Sequence, residues 1–357
     1  MVTQPRSEAM LAALRLVAPG TDLREGLERI LQAHMGGLVI VGDGPDILAL
    51  CSGGFLLDAE FTPQRLSEIA KMDGAIILSA DAKRIARANV HLVPNSEITT
   101  DETGTRHRTA ERVAKQINVP VITVSEDQQV IAIYRDGTKR TLEPIARILA
   151  RADQALTILE RYKARLDAVS GALSALEVED LVTVRDVATV LQRAEMVRRI
   201  AEEIEGYVIE LGTDGRLVML QLEELFSGVE TDQQYVVRDY LQRSADWDVH
   251  HVLERLSALN TEELLDLREV MDILHLGEGA SIDTPLQPRG YRLMNKIQRL
   301  PEACAYNVVD RFGNLQKIMR ASVSDLVAVE GVGESRARAI KEGLARLAET
   351  SILERYA

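Results

Sequence analysis

The feature that most constrains this chain is a change of hydrophobic pattern near residue 142. Before that point, short apolar runs alternate with stretches whose apolar residues recur at helical spacing. Helices between short apolar strands predict an α/β domain, with a central sheet and helices on both sides. The predicted helices lie at residues 22–35 and 63–71, and the predicted strands at 38–41, 76–78, 89–93 and 121–124, with a hairpin at 130–134 that turns through Asp136 and Gly137.

After residue 142 the pattern is helical. Apolar residues from Ile145 to Leu173 alternate steps of four and three, which predicts a long helix with a coiled-coil-like seam that could pair within the chain or between chains. A second helix is predicted from Thr183, where Thr183 and Asp186 have the spacing of a capping box. Further helices are predicted at 233–244 and 261–275, and a linker at 277–290.

The last segment repeats itself with an offset of 32 residues. Residues 297–301 align with 329–333, and Ala305 aligns with Ala337. Each copy predicts a short turn between two helices. The sequence is therefore divided into an α/β domain at 1–145, an all-helical middle domain at 146–284 and a C-terminal domain of helical hairpins at 285–357.

Composition excludes several classes of protein. Cys51 and Cys304 lack any pairing pattern, which excludes a disulfide framework and a cysteine zinc site and favours a reducing cytoplasm. No apolar run approaches the ~20 residues of a membrane helix, so we expect a cytoplasmic protein with no membrane partner. The net charge of −13 disfavours nucleic acid as a general partner. Residues 285–357, however, carry twelve basic and eight acidic side chains, which allows DNA binding there.

A basic cluster begins one predicted helix of the α/β domain. Arg106, His107 and Arg108 stand in its first turn, between Thr105 and Thr109, either of which could cap the helix. The first amide groups of a helix have no partner within the helix and attract anions, and arginine can bind two phosphate oxygens. Cations at this end oppose the helix dipole by ~0.3–1 kcal/mol each, which disfavours a merely solvated turn. The cluster predicts phosphate binding.

Asp73, Gly74 and Ala75 form a second cluster, where a predicted helix passes into a predicted strand. Gly74 would let a ligand approach the backbone closely, and Asp73 could hold a divalent cation or orient a hydroxyl nucleophile. Taken alone, Asp-Gly is more often an ordinary turn. The functional interpretation depends on combining this cluster with the basic one.

Together, residues 73–75 and 106–108 resemble the DGA and RHR motif pair of the diadenylate cyclase family. The resemblance covers residues 10–145, and neither motif departs from the family pattern. It implies that each cyclase domain binds one ATP as substrate and that two domains face each other. They would form cyclic di-AMP and release two pyrophosphates. It also implies a homo-octamer joined through the helical region.

The same resemblance assigns roles to individual residues. Asp73 would bind Mg²⁺ or Mn²⁺ and help to activate the 3′-hydroxyl group. Leu92 would lie beside adenine, and Ser125 near the phosphates. The implied catalytic residues are Asp73, Arg106, His107 and Arg108, and the implied nucleotide-binding residues are Gly74, Ala75, Leu92, Thr105, Arg106, His107, Arg108, Thr109 and Ser125.

The second copy of the C-terminal repeat resembles the helix-hairpin-helix motif. Its turn contains two glycines that leave backbone amides uncovered for a DNA phosphate, a contact that does not read sequence. A turn used only for packing is the less favoured alternative. The first copy has Arg299 and Pro301 at the glycine positions, so we expect it to bind DNA poorly. The predicted DNA-binding residues are Gly331, Val332, Gly333, Arg336, Arg338 and Lys341.

Three classes of function fit these observations. An enzyme follows from the two motifs, and the resemblance adds branched, Holliday junction-like DNA as a partner that lowers cyclase output. A purely DNA-binding repair or recombination factor would leave the acidic α/β domain unexplained. A nucleotide-sensing scaffold would bind ATP at the same residues without turnover. Our prediction is the enzyme with a C-terminal DNA-binding module.

Overall fold

The computed structural model describes residues 7–241, 248–274 and 281–356. Contacts between residues divide the chain into two compact units. The first is Met1–Gln154 with Glu203–Gln221, and the second is Ala155–Glu202 with Leu222–Ala357. The division of the sequence at residues 145 and 284 stays a prediction. The far ends of the helices predicted at 233–244 and 261–275, and the start of the predicted linker, lie outside the described residues.

The first unit is built on a mixed sheet. Its strands are β1 (Gly37–Val41), β2 (Cys51–Ser52), β3 (Phe55–Glu60), β4 (Ala75–Leu78), β5 (Arg84–Leu92), β6 (Val121–Ser125), β7 (Val130–Arg135) and β8 (Thr138–Thr141). They are ordered β2-β5-β4-β1-β6-β7-β8, and β3 also pairs with β5. Strands β1 and β4 run parallel, and the other pairs are antiparallel.

Helices cover both faces of this sheet, as the sequence predicted. Alternate residues of β1 point to opposite faces, so Val39 and Val41 belong to one apolar core and Leu38 and Ile40 to another. The first core includes residues of three helices and the second includes residues of two. Those on the first side are α1 (Glu8–Leu16), α2 (Asp22–Gln32) and α4 (Pro63–Ile69), and those on the second are α3 (Pro45–Ala49) and α5 (Thr105–Gln116).

Strands β2 and β3 are the elements of this sheet that the sequence analysis missed. Strand β3 lies at an edge and five of its six residues are exposed, so it lacks the buried alternation that marks a half-buried strand. Its side chains include Phe55 and Leu56, which are 56% and 71% exposed. Pairing with β5 forms this strand, and that pairing is not visible in the local sequence.

The remaining described residues are mainly helical. Helices α6 (Ile145–Glu179), α7 (Val184–Leu211) and α8 (Arg216–Phe226) contribute residues to both units. None of the helices in the described residues is long and apolar enough to cross a lipid bilayer. The second unit also contains α9 (Val229–Tyr240), α10 (Val249–Ala258), α11 (Thr261–Leu265), α12 (Leu267–Ile273), α13 (Tyr291–Asn295), α14 (Glu302–Phe312), α15 (Leu315–Arg320), α16 (Val323–Val327) and α17 (Glu334–Tyr356).

Two helix predictions are settled by the described residues. The seam predicted on α6 is buried within a single copy of the chain at Leu156, Leu159, Leu166 and Leu173, so this part of it packs internally. The single helix predicted at 261–275 is wrong, because Asp266 leaves the helical conformation and its side chain accepts a hydrogen bond from the amide of Arg268. Asp266 thereby ends α11 and caps α12.

A buried polar network holds the start of α13 in the second unit. The Arg292 guanidinium is fully buried and pairs with Glu177 at 2.8 Å, and it also donates to the hydroxyl groups of Ser170 and Ser174. The Asp239 carboxylate accepts the amides of residues 290–292 at 2.7–3.0 Å. The serine hydroxyls give the buried ion pair the additional partners that it needs to offset desolvation. The three bonds to Asp239 hold the backbone at residues 290–292, so the network fixes where the C-terminal helices begin.

Candidate functional site

Strand register brings four strand ends together at one end of the sheet. Gly37 at the start of β1 lies opposite Val124 near the end of β6. Parallel pairing with β1 places the start of β4 at the same end, and Ala75 there lies opposite Val90 near the end of β5. Helix α5 begins beside these strand ends. The sheet therefore gathers, at one place, segments that are far apart in sequence.

A cleft of about 560 Å³ opens at this end of the sheet. It combines backbone at the strand ends with the first turn of α5, and it is lined by Leu38, Gly74, Ala75, Val90, His91, Leu92, Thr103, Gly104, Thr105, Arg106, His107, Thr109, Ser125, Glu126, Asp127 and Gln128. Eight of the ten residues predicted for the nucleotide site line it. The other two, Asp73 and Arg108, are exposed and stand next in sequence to lining residues.

The start of α5 is open to a ligand, although the capping prediction was wrong. Gly104 is the N-cap, so Thr105 is already the first helical residue and Thr109 lies within the helix. Gly104 has a φ of 84°, a conformation that threonine rarely adopts, and this places the cap one residue earlier than predicted. A glycine cap has no side chain to bond the first amide groups, which remain available for an anion.

Gly74 is required by the packing of the sheet itself. Its φ is 102°, and a Cβ atom here would lie 2.9–3.0 Å from backbone atoms of Asn89 and Val90. This close backbone approach joins β4 to β5, and the predicted approach of a ligand at Gly74 stays a prediction. A substitution at Gly74 would disturb both the β4–β5 contact and the lining of the cleft.

Arg106 is held over Gly36, which belongs to neither motif. A Cβ atom at Gly36 would overlap the Arg106 guanidinium, with Cζ 2.6 Å away. Arg106 is half-buried and lines the cleft. The missing side chain of Gly36 therefore creates the space in which the guanidinium lies against the backbone just before β1.

His107 is held from behind by two hydroxyl groups. Its Nδ1 atom lies 3.0 Å from the Tyr134 hydroxyl and 3.2 Å from the Thr123 hydroxyl. Burial, followed by the charge of Lys139, lowers the pKa of His107 below its ordinary value, so the free imidazole is neutral at neutral pH. Contact of Nδ1 with these hydroxyls leaves Nε2 as the ring nitrogen for a ligand.

Several lining or supporting residues were not found from the sequence. Glu126 and Asp127 follow β6, whose end lies at the cleft, and this signal becomes visible only after strand order is known. Tyr134 looked like an ordinary strand residue, and Glu102 like a loop residue. Gly36 lies outside both motifs, and nothing in the neighbouring sequence links it to Arg106.

Three exposed carboxylates stand at the cleft: that of Asp73, beside the lining residue Gly74, and those of the lining residues Glu126 and Asp127. Within the described ranges, no group of three or more His, Cys, Asp or Glu side chains could hold a metal ion. Mg²⁺ is commonly bound by one or two carboxylates together with substrate phosphates and water. The residues present therefore fit a divalent cation that arrives with a nucleotide, and do not form a cage of protein ligands.

The two copies of the C-terminal repeat adopt the same turn between two helices. The first connects α13 to α14 and the second connects α16 to α17. Arg299 and Gly331, 32 positions apart, both have positive φ, 61° and 80°. In both copies the following amide donates to the carbonyl three positions before it, at 3.3 and 3.0 Å. This confirms the internal repeat.

The predicted DNA-binding residues lie at the second turn and along the first turns of α17. Gly331 and Gly333 are exposed, and Val332 is buried beneath them. Arg336 donates to the Gly331 carbonyl at 2.7 Å and so braces the turn. Of the other two cations, exposed Arg338 pairs with Glu334, and the half-buried Lys341 donates to the Met319 carbonyl at 2.7 Å. An exposed pair of this kind is weak and leaves Arg338 free to contact a phosphate.

Comparison with known proteins assigns the chain to a family. A model described as DisA bacterial checkpoint controller nucleotide-binding matches residues 24–139, and one described as DisA bacterial checkpoint controller linker region matches residues 142–282. A helix-hairpin-helix motif matches residues 314–343. The DNA integrity scanning protein DisA of Frankia alni is 57% identical over the whole of both chains. The chain belongs to the DisA family.

Other members of the DisA family are similarly close. The DNA integrity scanning protein DisA of Acidothermus cellulolyticus is 56% identical over 98% of this chain and 96% of that protein, and that of Streptomyces coelicolor is 55% identical over 97% and 94%. DacA from Staphylococcus aureus, a solved structure, is 21% identical over 36% of this chain and 86% of that chain, with a TM-score of 0.29. The chain thus has the diadenylate cyclase domain of the DisA family and a helix-hairpin-helix DNA-binding region.

Gly36→Ala tests whether the space over Gly36 places Arg106. The new methyl group would displace the guanidinium, and we expect affinity for ATP to fall about tenfold, the loss of roughly 1.4 kcal/mol of charge-assisted hydrogen bonding. Gly37→Ala is the matched control, because its Cβ would meet no atom closer than 3.6 Å. Affinity is measured by calorimetry and folding by thermal denaturation. Equal ATP affinity in the two variants would contradict the assignment.

Proposed function

We propose that this chain joins two ATP molecules into cyclic di-AMP and releases two pyrophosphates. The 3′-hydroxyl of each ATP loses its proton and attacks the α-phosphorus of the other, as the bond to the pyrophosphate oxygen breaks. Two O–P bonds form and two break, so no oxidant, reductant or further reactant is needed. The resemblance of residues 73–75 and 106–108 to the diadenylate cyclase motifs supports this reaction.

The observation that carries the proposal is a single cleft shared by the open start of α5 and the glycine edge of β4. Phosphoryl transfer depends on positioning and on neutralising phosphate charge, which helix amides and arginines supply. In this proposal Ala75 and Leu92 contact the nucleoside. The residues that would hold the phosphates are Thr105, Arg106, His107, Arg108, Thr109 and Ser125.

A divalent cation, Mg²⁺ or Mn²⁺, would neutralise phosphate charge and make the 3′-hydroxyl more acidic. Asp73 would hold it, since this exposed carboxylate stands at the start of β4, beside the cleft. Gly74, which follows it, carries no side chain and leaves room for the nucleotide. Asp73 would also orient the 3′-hydroxyl.

Two cyclase domains would face each other, because each ATP supplies the nucleophile for the other. An apolar rim beside the cleft supports this arrangement. Leu56 and Phe55 on β3 are largely exposed, and Phe55 pairs with Ala88, two residues before the lining residue Val90. Val93, next to the lining residue Leu92, is 57% exposed. Exposed apolar patches of this kind are typical of protein interfaces. We further propose a homo-octamer joined through the helical region.

We also propose that the C-terminal module prefers branched DNA and that DNA lowers cyclase output. The repeated hairpins support contact with the DNA backbone, because each turn is followed by the start of a helix. Backbone contacts carry no base information, so the shape of the DNA would set the preference. Contact with DNA remains strongest at the second copy in this proposal, since its glycines leave the turn uncovered.

Asp73→Asn tests the catalytic role of the carboxylate. We expect cyclic di-AMP formation to fall at least a hundredfold, while ATP affinity changes less than threefold, because the amide cannot hold the cation or activate the hydroxyl. Products are measured by mass spectrometry after incubation with ATP and Mg²⁺, and Asp136→Asn, in the exposed β7–β8 turn, serves as control. Near-normal product from Asp73→Asn would refute the role. Absence of product from the unaltered protein would favour an ATP-sensing scaffold or a purely DNA-binding factor instead.

Leu56→Glu tests whether two cyclase domains must face each other. A charge on the apolar rim would weaken the facing contact, so we expect the rate per subunit to fall about tenfold with ATP affinity unchanged. The rate should recover as protein concentration rises, because association is governed by mass action. A rate per subunit that is independent of concentration, in both the variant and the unaltered protein, would contradict the facing arrangement.

Gly333→Ala tests whether the uncovered turn contacts DNA. A Cβ atom here would meet no protein atom within 4 Å, so stability should not change, but the methyl group would cover the amide that docks a phosphate. We expect about fivefold weaker DNA binding, or roughly 1 kcal/mol for one hydrogen bond. Gly44→Ala, equally unobstructed and at the N-cap of α3, is the control.

Four-way junctions and linear duplexes are compared at one salt concentration, and equal affinities would remove the shape preference.

A further inference from the structure

A chain of hydrogen bonds leads away from the cleft behind His107. The Tyr134 hydroxyl lies 3.0 Å from His107 Nδ1 and donates to Glu102 Oε1 at 3.1 Å. The Lys139 ammonium pairs with the same carboxylate oxygen at 2.6 Å. Tyr134 is 1% exposed, so water does not replace these hydrogen-bond partners of its hydroxyl group. Tyr134, Glu102 and Lys139 belong to neither of the two motifs.

The proton of the Tyr134 hydroxyl decides the state of the imidazole. The hydroxyl has one proton, and the ion-paired Glu102 carboxylate is its strongest acceptor. The phenol oxygen is then left to accept a hydrogen bond from Nδ1–H of His107. In a neutral ring this tautomer leaves Nε2 without a proton, and such a nitrogen cannot donate to a phosphate.

We propose that Tyr134 and Glu102 are positioning residues that hold His107 as an imidazolium when a nucleotide phosphate binds, so that binding takes up a proton at Nε2. The inference rests on the proposed nucleotide site. In the bound state Nδ1–H donates to Tyr134, Tyr134 donates to Glu102, and Nε2–H donates to a phosphate oxygen. The negative charge of Glu102 at the far end of the chain stabilises the positive ring.

Charged groups on three neighbouring segments act on this imidazole. Arg106 on α5 and Lys139 on β8 disfavour its charged form, whereas Glu102 in the loop before α5 favours it. Burial also disfavours the charge, and the pKa of His107 in the free protein is lowered accordingly. A bound triphosphate adds negative charge and raises that pKa. Between the two pKa values binding takes up a proton, so affinity falls as pH rises through this window.

The uptake is measured by titrating the whole chain with 3′-deoxy-ATP, which lacks the attacking hydroxyl, in buffers of different ionisation enthalpy at a pH between these two pKa values. We expect the unaltered protein to take up about one proton for each nucleotide bound. In Tyr134→Phe the uptake should fall close to zero, because Thr123, 3.2 Å from Nδ1, can then donate to it and fix the neutral ring with the proton on Nε2.

Tyr240→Phe is the matched control. Its hydroxyl also donates to a buried glutamate that a cation pairs, Glu177 with Arg292, and it belongs to the second unit. Tyr240→Phe should keep the proton uptake of the unaltered protein. Glu102→Gln provides a second test, because it keeps a hydrogen-bond acceptor for Tyr134 but removes the charge, and it should also lower the uptake.

The outcomes separate this proposal from the proposed function. Nucleotide binding without proton uptake, or equal uptake in Tyr134→Phe and the unaltered protein, would overturn the role of Tyr134 and leave the nucleotide site intact. Absence of binding by the unaltered protein would overturn both. A loss of uptake in both Tyr134→Phe and Tyr240→Phe would also overturn it, since the effect would then not be local.

Discussion

The cleft that we propose as the nucleotide site depends on the register of one sheet. Because β1 and β4 run parallel while β5 and β6 run antiparallel to them, two strand starts and two strand ends meet at the same end of the sheet. The cleft has no wall without this arrangement, since its lining comes from segments of β1, β4, β5 and β6 as well as from α5. A slip of one residue between β1 and β4 would exchange the two faces of β4 and remove the edge beside Asp73.

Missing side chains shape the phosphate region as much as charged ones do. Gly104 leaves the first amides of α5 uncapped, and Gly36 leaves space for the Arg106 guanidinium. Gly74 lets β4 approach the backbone of β5. These three features make a recess in which backbone amides and one arginine can contact an anion. His107 differs, because in our proposal its charge is set by groups behind it and responds to the ligand.

The cleft and the C-terminal turns are two different arrangements that suit phosphate binding in our proposal. The cleft in the first unit combines helix amides with charged side chains, which suits a small, highly charged ligand. The C-terminal turns present backbone amides beside helix starts, which suits the repeated phosphates of a polymer. In the second unit, the buried pair of Arg292 and Glu177 sets the start of α13 and thus the position of the first hairpin. The net charge of the whole chain is −13, although the C-terminal segment that would contact DNA has more basic than acidic side chains.

The sequence by itself determined the helices on both faces of the sheet, the apolar seam of α6 and the 32-residue repeat, because each leaves a periodic pattern in neighbouring residues. It also identified Gly74, Arg106 and His107 through motifs that are local. Tertiary structure alone decided that β3 is a strand, since only pairing with β5 forms it. It also decided that Gly36 makes room for Arg106 and that Tyr134 and Glu102 lie behind His107. Those contacts join residues tens of positions apart, and their geometry exists only once the strands are in register.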